Sequence, residues 1–85
     1  MADDYPYYID VRRRKSLWQV SDSSLFFGVF DRHLMRGKFQ DALNYAKELA
    51  RKYKDCKLTV YTSDGDVMFT ERFGKTVTER IKEVK

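Results

Sequence analysis

The chain reads as an α+β domain, with an antiparallel sheet packed on one main helix and a short helix at the C-terminal end. The expected order is strand, strand, strand, helix, strand, strand, short helix. Three patterns point to it. Apolar and polar residues alternate near the N-terminus, one long stripe at three- and four-residue spacing follows, and Asp64-Gly65 then separates two further alternating runs. At 85 residues the chain has the length of a single domain with one modest core, spanning residues 1–85.

Tyr5, Tyr7, Ile9 and Val11 alternate with Pro6, Tyr8, Asp10 and Arg12, the period of a half-buried strand. Arg13, Arg14, Lys15 and Ser16 supply a polar turn. Residues 17–20 then form a second strand, with Trp18 and Val20 on one face, and the pair is expected to make a hairpin. Ser21, Asp22, Ser23 and Ser24 read as a loop, because each side chain bonds readily to nearby backbone. Residues 25–30 are apolar on both parities, as in a strand covered on both faces, and residues 31–37 read as a polar exit ending in Gly37.

The clearest helix follows. Phe39, Ala42, Leu43, Ala46, Leu49, Ala50 and Tyr53 form one apolar stripe. Asp41 in its first turn and Arg51, Lys52 and Lys54 near its end complement the helix dipole. Asp64-Gly65 reads as a two-residue type I′ turn, which sets Val60 opposite Phe69, Thr62 opposite Val67 and Tyr61 opposite Met68. Val77, Ile81 and Val84 predict a short final helix capped by Thr76 or Thr78. One long helix covers one sheet face. Tyr8, Phe26 or Phe27, Tyr61 and Met68 are expected to put apolar bulk on the other, which then needs the final helix, a second copy or a ligand as cover.

Composition narrows the class. The chain is 42% apolar, 35% charged and 15% aromatic, which supplies enough burial to exclude disorder. A net charge of +4 suits nucleic acid or an acidic partner. No apolar run approaches the length that spans a bilayer, and the acidic start Met1-Ala2-Asp3-Asp4 is unlike a signal peptide, so the expected setting is the cytoplasm. Cys56 is the single cysteine and reads as a packing residue.

No catalytic apparatus is legible, and no enzyme is expected. Asp31 and His33 would share a strand face, but no nucleophile accompanies them. One histidine and one cysteine are too few for a metal centre. Asp64-Gly65-Asp66 lacks the further ligands of a calcium loop, and the scattered glycines make no phosphate loop, so no cofactor is expected.

Basic clusters stand out instead. Arg12, Arg13, Arg14 and Lys15 crowd the first hairpin tip; Arg32, Arg36 and Lys38 precede the helix; Lys47, Arg51 and Lys54 lie along one helix face. Arginine forks suit phosphates, and a binding role would offset the repulsion at the tip. Tyr8 and Tyr61 fall off the core parity of their strands and are the aromatics best placed to stack against a base or a partner.

The run from Phe39-Gln40-Asp41-Ala42-Leu43 to Ala50, with Leu58-Thr59-Val60-Tyr61, Asp64-Gly65 and Trp18-Gln19-Val20, resembles a small bacterial domain family of unknown function. Its members have a tryptophan-containing N-terminal hairpin, an alanine-rich helix and a closing Asp-Gly hairpin. The likeness spans residues 7–73, departs at residues 25–37, and implies a fold but no activity. The opening strand and basic hairpin also look like the start of the nucleic-acid-binding Pur repeat, which ends at its helix where this chain continues.

Two functions follow as expectations. The first is a non-catalytic protein-interaction or homodimeric module, from the apolar second face. The alternative is a nucleic-acid-binding domain using the basic tip, Arg32, Arg36 and the helix cations, with Tyr8 or Tyr61 stacking.

Overall fold

Strict alternation builds the centre of the sheet. Ile9 and Val11 on the first strand, Val20 on the second and Leu58 and Val60 on the fourth are all fully buried, while their sequence neighbours are not. The computed structural model describes residues 5–24, 28–35 and 38–83. Its elements are β1 (Tyr7–Arg14), β2 (Leu17–Ser24), β3 (Gly28–Met35), α1 (Phe39–Tyr53), β4 (Cys56–Tyr61), β5 (Val67–Phe73) and α2 (Val77–Glu83). The domain is therefore α+β, with one main helix and a short C-terminal one.

The five strands lie in the order β3-β2-β1-β4-β5. Neighbours pair antiparallel except β1 and β4, which run parallel, with Val11 beside Val60. The parallel pair follows from the connection: β4 returns to β1 through α1, a crossover with a helix on one face. Ala42, Leu43, Ala46 and Ala50 of α1 press onto Ile9, Val11, Trp18, Val20, Leu58 and Val60. Small alanines let the helix approach closely, and Phe39 meets Trp18 edge-on at 5.0 Å between ring centroids.

Both helices are terminated by local chemistry. The Asp41 carboxylate accepts from the Lys38 backbone N–H at the start of α1. Lys54 takes a left-handed φ of 72° at its end, and its N–H donates to the Ala50 carbonyl. Thr76 Oγ1 accepts from Glu79 N–H at 3.1 Å, and Thr76 N–H donates to the Glu79 carboxylate at 3.3 Å, so Thr76 caps α2. Asp55 ties α2 back to the sheet: its carboxylate accepts from Lys75 N–H and pairs with Arg80. Gly74, at φ 74°, crosses so close that a Cβ there would lie 2.0 Å from Asp55 Oδ1.

Several expectations need correction. β2 does not stop at Val20 but runs on through Ser24, and Asp22 and Ser24 are buried. A carboxylate survives there because the Tyr53 hydroxyl, from the end of α1, donates to Asp22 Oδ2. β3 spans residues 28–35, so the expected polar exit is mostly strand; residues 25–27 and 36–37 lie outside the described residues. β3 lies at the edge of the sheet, a position the apolar run alone left open.

The last turn is also different. Val60 does face Phe69, but Tyr61 then pairs with Val67, leaving Met68 in a bulge. Thr62 N–H donates to the Asp66 carbonyl and Gly65 N–H to the Thr62 carbonyl, a three-residue loop. A type I′ turn needs positive φ at both central residues; here Gly65 has φ 91° and Asp64 does not.

Candidate functional site

β1 and β4 run parallel, so their C-terminal ends emerge side by side at one end of the sheet. β1 ends in Arg12, Arg13 and Arg14, and β4 ends in Tyr61, leading into the 62–66 turn. Together Arg12, Arg13, Arg14, Tyr61, Thr62, Ser63 and Gly65 line a cleft of about 150 Å³. Crevices outside the carboxyl ends of adjacent parallel strands are frequent ligand positions in α/β sheets.

The three arginines are exposed and point to different faces, as strand alternation requires. Arg12 shares the face away from α1, and its guanidinium lies 4.1 Å above the Tyr61 ring centre. Arg13 is on the helix side, 5.4 Å from the Trp18 ring, and its Nε–H donates to the Lys15 carbonyl at 2.7 Å. Lys15 itself turns the hairpin with φ 56°. The end of the sheet thus concentrates four cations beside an aromatic ring, with Asp64 and Asp66 in the neighbouring turn. Cation–ring contacts of this kind hold a guanidinium plane in place without consuming all its donors.

The face away from α1 extends from this cleft. Among the described residues it carries Arg12, Arg14, Leu17, Gln19, Tyr61 and Val67 nearest the cleft, then Asp10, Ser21, Thr59 and Thr70, then Tyr8, Ser23, Lys57 and Arg72. Gln19 Nε2 donates to Ser21 Oγ at 2.7 Å. The Tyr8 hydroxyl accepts from Tyr5 N–H at 3.3 Å, and the Tyr8 and Tyr61 rows lie four strand residues, about 13 Å, apart. Asp10 sits midway, with Arg12 Nη2 at 3.9 Å from its carboxylate. Burial raises the Asp10 pKa above its ordinary value, while Arg12 and Lys57 pull it down.

The expected apolar second face is met in part among the described residues: Tyr8 and Tyr61 lie on it, and Leu17 and Val67 share it in register, but polar and basic side chains stand between them. Met68 is exposed in its bulge, and residues 26 and 27 lie outside the described residues. α2, one of the three covers named for this face, does not pack on it. It is tethered at Asp55, with Ile81 64% exposed.

The basic clusters do not merge into one surface. Lys47 and Arg51 belong to α1 and Lys54 caps its end, on the other side of the sheet, and Arg51 and Lys54 lie at the far end from Arg12–Arg14. Arg32 pairs in register with Ser21, and Arg36 lies outside the described residues. Sequence reasoning overlooked Asp10, Lys57, Thr62 and Ser63. The parity that singled out Tyr8 also marks Asp10, but the turn residues become neighbours of the arginines only through the parallel pairing.

Other reactive groups are withdrawn. Burial, with a smaller push from Glu71, raises the Cys56 thiol to about 11. Burial and the Asp22 carboxylate likewise hold the Tyr53 phenol protonated well above its ordinary range, and its ring stacks on Tyr7 at 4.7 Å. No group of His, Cys, Asp or Glu among the described residues is arranged to hold a metal ion, and no described helix is long and apolar enough to cross a membrane. Comparison of the chain with family models, with curated proteins and with solved structures finds no match in any of the three.

Proposed function

We propose that the domain binds single-stranded nucleic acid, with backbone phosphates at Arg12, Arg13 and Arg14 and bases laid along the open sheet face. The carrying observation is the cleft in which three consecutive arginines meet Tyr61, with the Arg12 guanidinium carbon already over the ring. Forked cations suit phosphates, and a sheet face that bears tyrosines and that none of the described helices covers suits unstacked bases. A paired duplex hides its base faces and gains nothing from such a surface. A cytoplasmic setting agrees with this function.

Fluorescence anisotropy with labelled single- and double-stranded oligonucleotides, at low and physiological salt, tests the proposal. Single strands are expected to bind more tightly, with the logarithm of affinity falling by about 0.7 per engaged phosphate against log salt. Replacing Arg12, Arg13 and Arg14 together by Ala should flatten that slope by about 2. An unchanged affinity in the triple variant ends the proposal.

One observation favours a second function, a protein-interaction or self-associating module. β5 is an edge strand, and it begins with Val67 and Met68, 59% and 47% exposed. An unpaired edge with apolar side chains is a surface onto which a partner strand can add. Sedimentation equilibrium of the wild type and of Val67→Lys separates the cases: an association that the lysine abolishes supports the edge, and a monomer at high concentration removes self-association.

A further inference from the structure

Asp10 is out of place on a phosphate-binding surface. Its carboxylate lies on the open face, between the Tyr61 and Tyr8 rows, with Ser21 and Thr59 as its register partners. A fixed negative charge there repels phosphate and weakens any sequence-blind binding. It does not serve the core either, since its neighbours Ile9 and Val11 point to the other side. Arg12 Nη2 is 3.9 Å away, an ion-pair distance longer than a hydrogen bond, and Lys57 also lies on this face. The side chain keeps 34% of its exposure, so its acceptor capacity is presented outward.

The surroundings define what would meet it. The Arg12 guanidinium carbon lies over the Tyr61 ring, 4.1 Å from its centre, so cation and ring together offer a stacking platform. Asp10 is two residues earlier on the same strand and face, its carboxylate 3.9 Å from the guanidinium of that platform. A base resting on Arg12 and directed down the sheet turns its Watson–Crick edge toward the carboxylate. An ionised carboxylate only accepts hydrogen bonds, and its two oxygens match two adjacent N–H donors. Guanine alone offers that pair, from N1 and the 2-amino group. Thymine and uracil flank their single N–H with carbonyl oxygens, which a carboxylate repels.

We infer that Asp10 is a specificity-determining residue that selects guanine in single-stranded nucleic acid, by accepting from the base's N1–H and 2-amino group while the ring stacks on Arg12 over Tyr61. The inference rests on the single-strand function proposed above. The residue turns a general anion surface into one that tolerates phosphate but prefers one base.

The test uses the whole chain and labelled heptamers in low salt: seven thymidines, the same with a central guanine, and the same with a central inosine, which lacks the 2-amino group. The guanine heptamer should bind about tenfold more tightly than the thymidine one, within the range a bidentate base contact supplies. Inosine should lose most of that preference. In Asp10→Asn the preference should fall to within about twofold, while thymidine binding is kept or improved because a repelling charge has gone. Retained thymidine binding reports that the variant is folded, and the inosine comparison needs no variant. Equal affinity for all three heptamers, or a guanine preference that survives both changes, overturns the inference and leaves the single-strand function standing. Failure of any heptamer to bind overturns both.

Discussion

The two faces of the sheet are made by the same strands, yet among the described residues only one of them is closed by a helix. Toward α1 the strands present Ile9, Val11, Val20, Leu58 and Val60, all fully buried. One residue along, on the opposite side, stand Asp10, Arg12, Ser21, Thr59 and Tyr61. The closed face is β-branched and aliphatic, the side chains that pack best on a pleated surface. The open face is charged, hydroxylated and aromatic, able to meet water and ligand alike. Period-two alternation therefore divides the labour: one parity holds the domain together, and the other is left free for chemistry.

Neighbouring substitutions can break that division if it is wrong. Leu58→Ala, on the closed face, should cost about 2–5 kcal/mol in a urea or guanidinium titration, whereas Thr59→Ala beside it should change stability by no more than about 0.5 kcal/mol. Equal losses would mean that something covers the second face. Tyr53→Phe probes the closed side at its polar end. It strips the buried Asp22 carboxylate of its donor and should cost about 1–3 kcal/mol, measured the same way.

The smallest effect lies on the open face and depends on pH. Burial raises the Asp10 pKa, so the native state holds this proton more tightly than the unfolded chain. Stability from this group is then lost as pH rises from the ordinary carboxylate pKa through the raised native one. Asp10→Asn should accordingly stabilise the domain slightly at neutral pH and lose that advantage below about pH 4, where the wild-type carboxyl is protonated in both states. Thermal melts at several pH values would show it, and an advantage that grows toward low pH would refute it.

Local signals were legible and long-range ones were not. The α1 stripe, the Trp18 and Val20 parity, the Thr76 cap and the off-core placement of Tyr8 and Tyr61 all follow from spacing within one element. The end of β2 did not, because Asp22 looks like loop chemistry until Tyr53, thirty-one residues later, supplies its donor. The closing turn misled because Asp-Gly serves a two-residue and a three-residue loop equally, and the Met68 bulge that decides between them leaves no mark in composition. Of the candidate site, the arginine tip and Tyr61 could each be named from sequence. Their meeting could not, since it depends on the parallel pairing of β1 and β4. The helix cations had the right chemistry but the wrong side of the sheet.

That parallel pairing also sets an order of events. β1 is the first strand and a central one, and its outer neighbour, β4, lies more than half the chain length away: Tyr7 sits beside Cys56. The hairpin of β1 and β2 closes a short loop and can form early, but closing β1 onto β4 must wait for α1 to form and fold back. Until then the unfilled flank of β1 offers unpaired backbone to any passing strand. Folding speed and the risk of aggregation are thus governed by one slow, distant contact, and the same step that finishes the sheet brings the arginines and Tyr61 together.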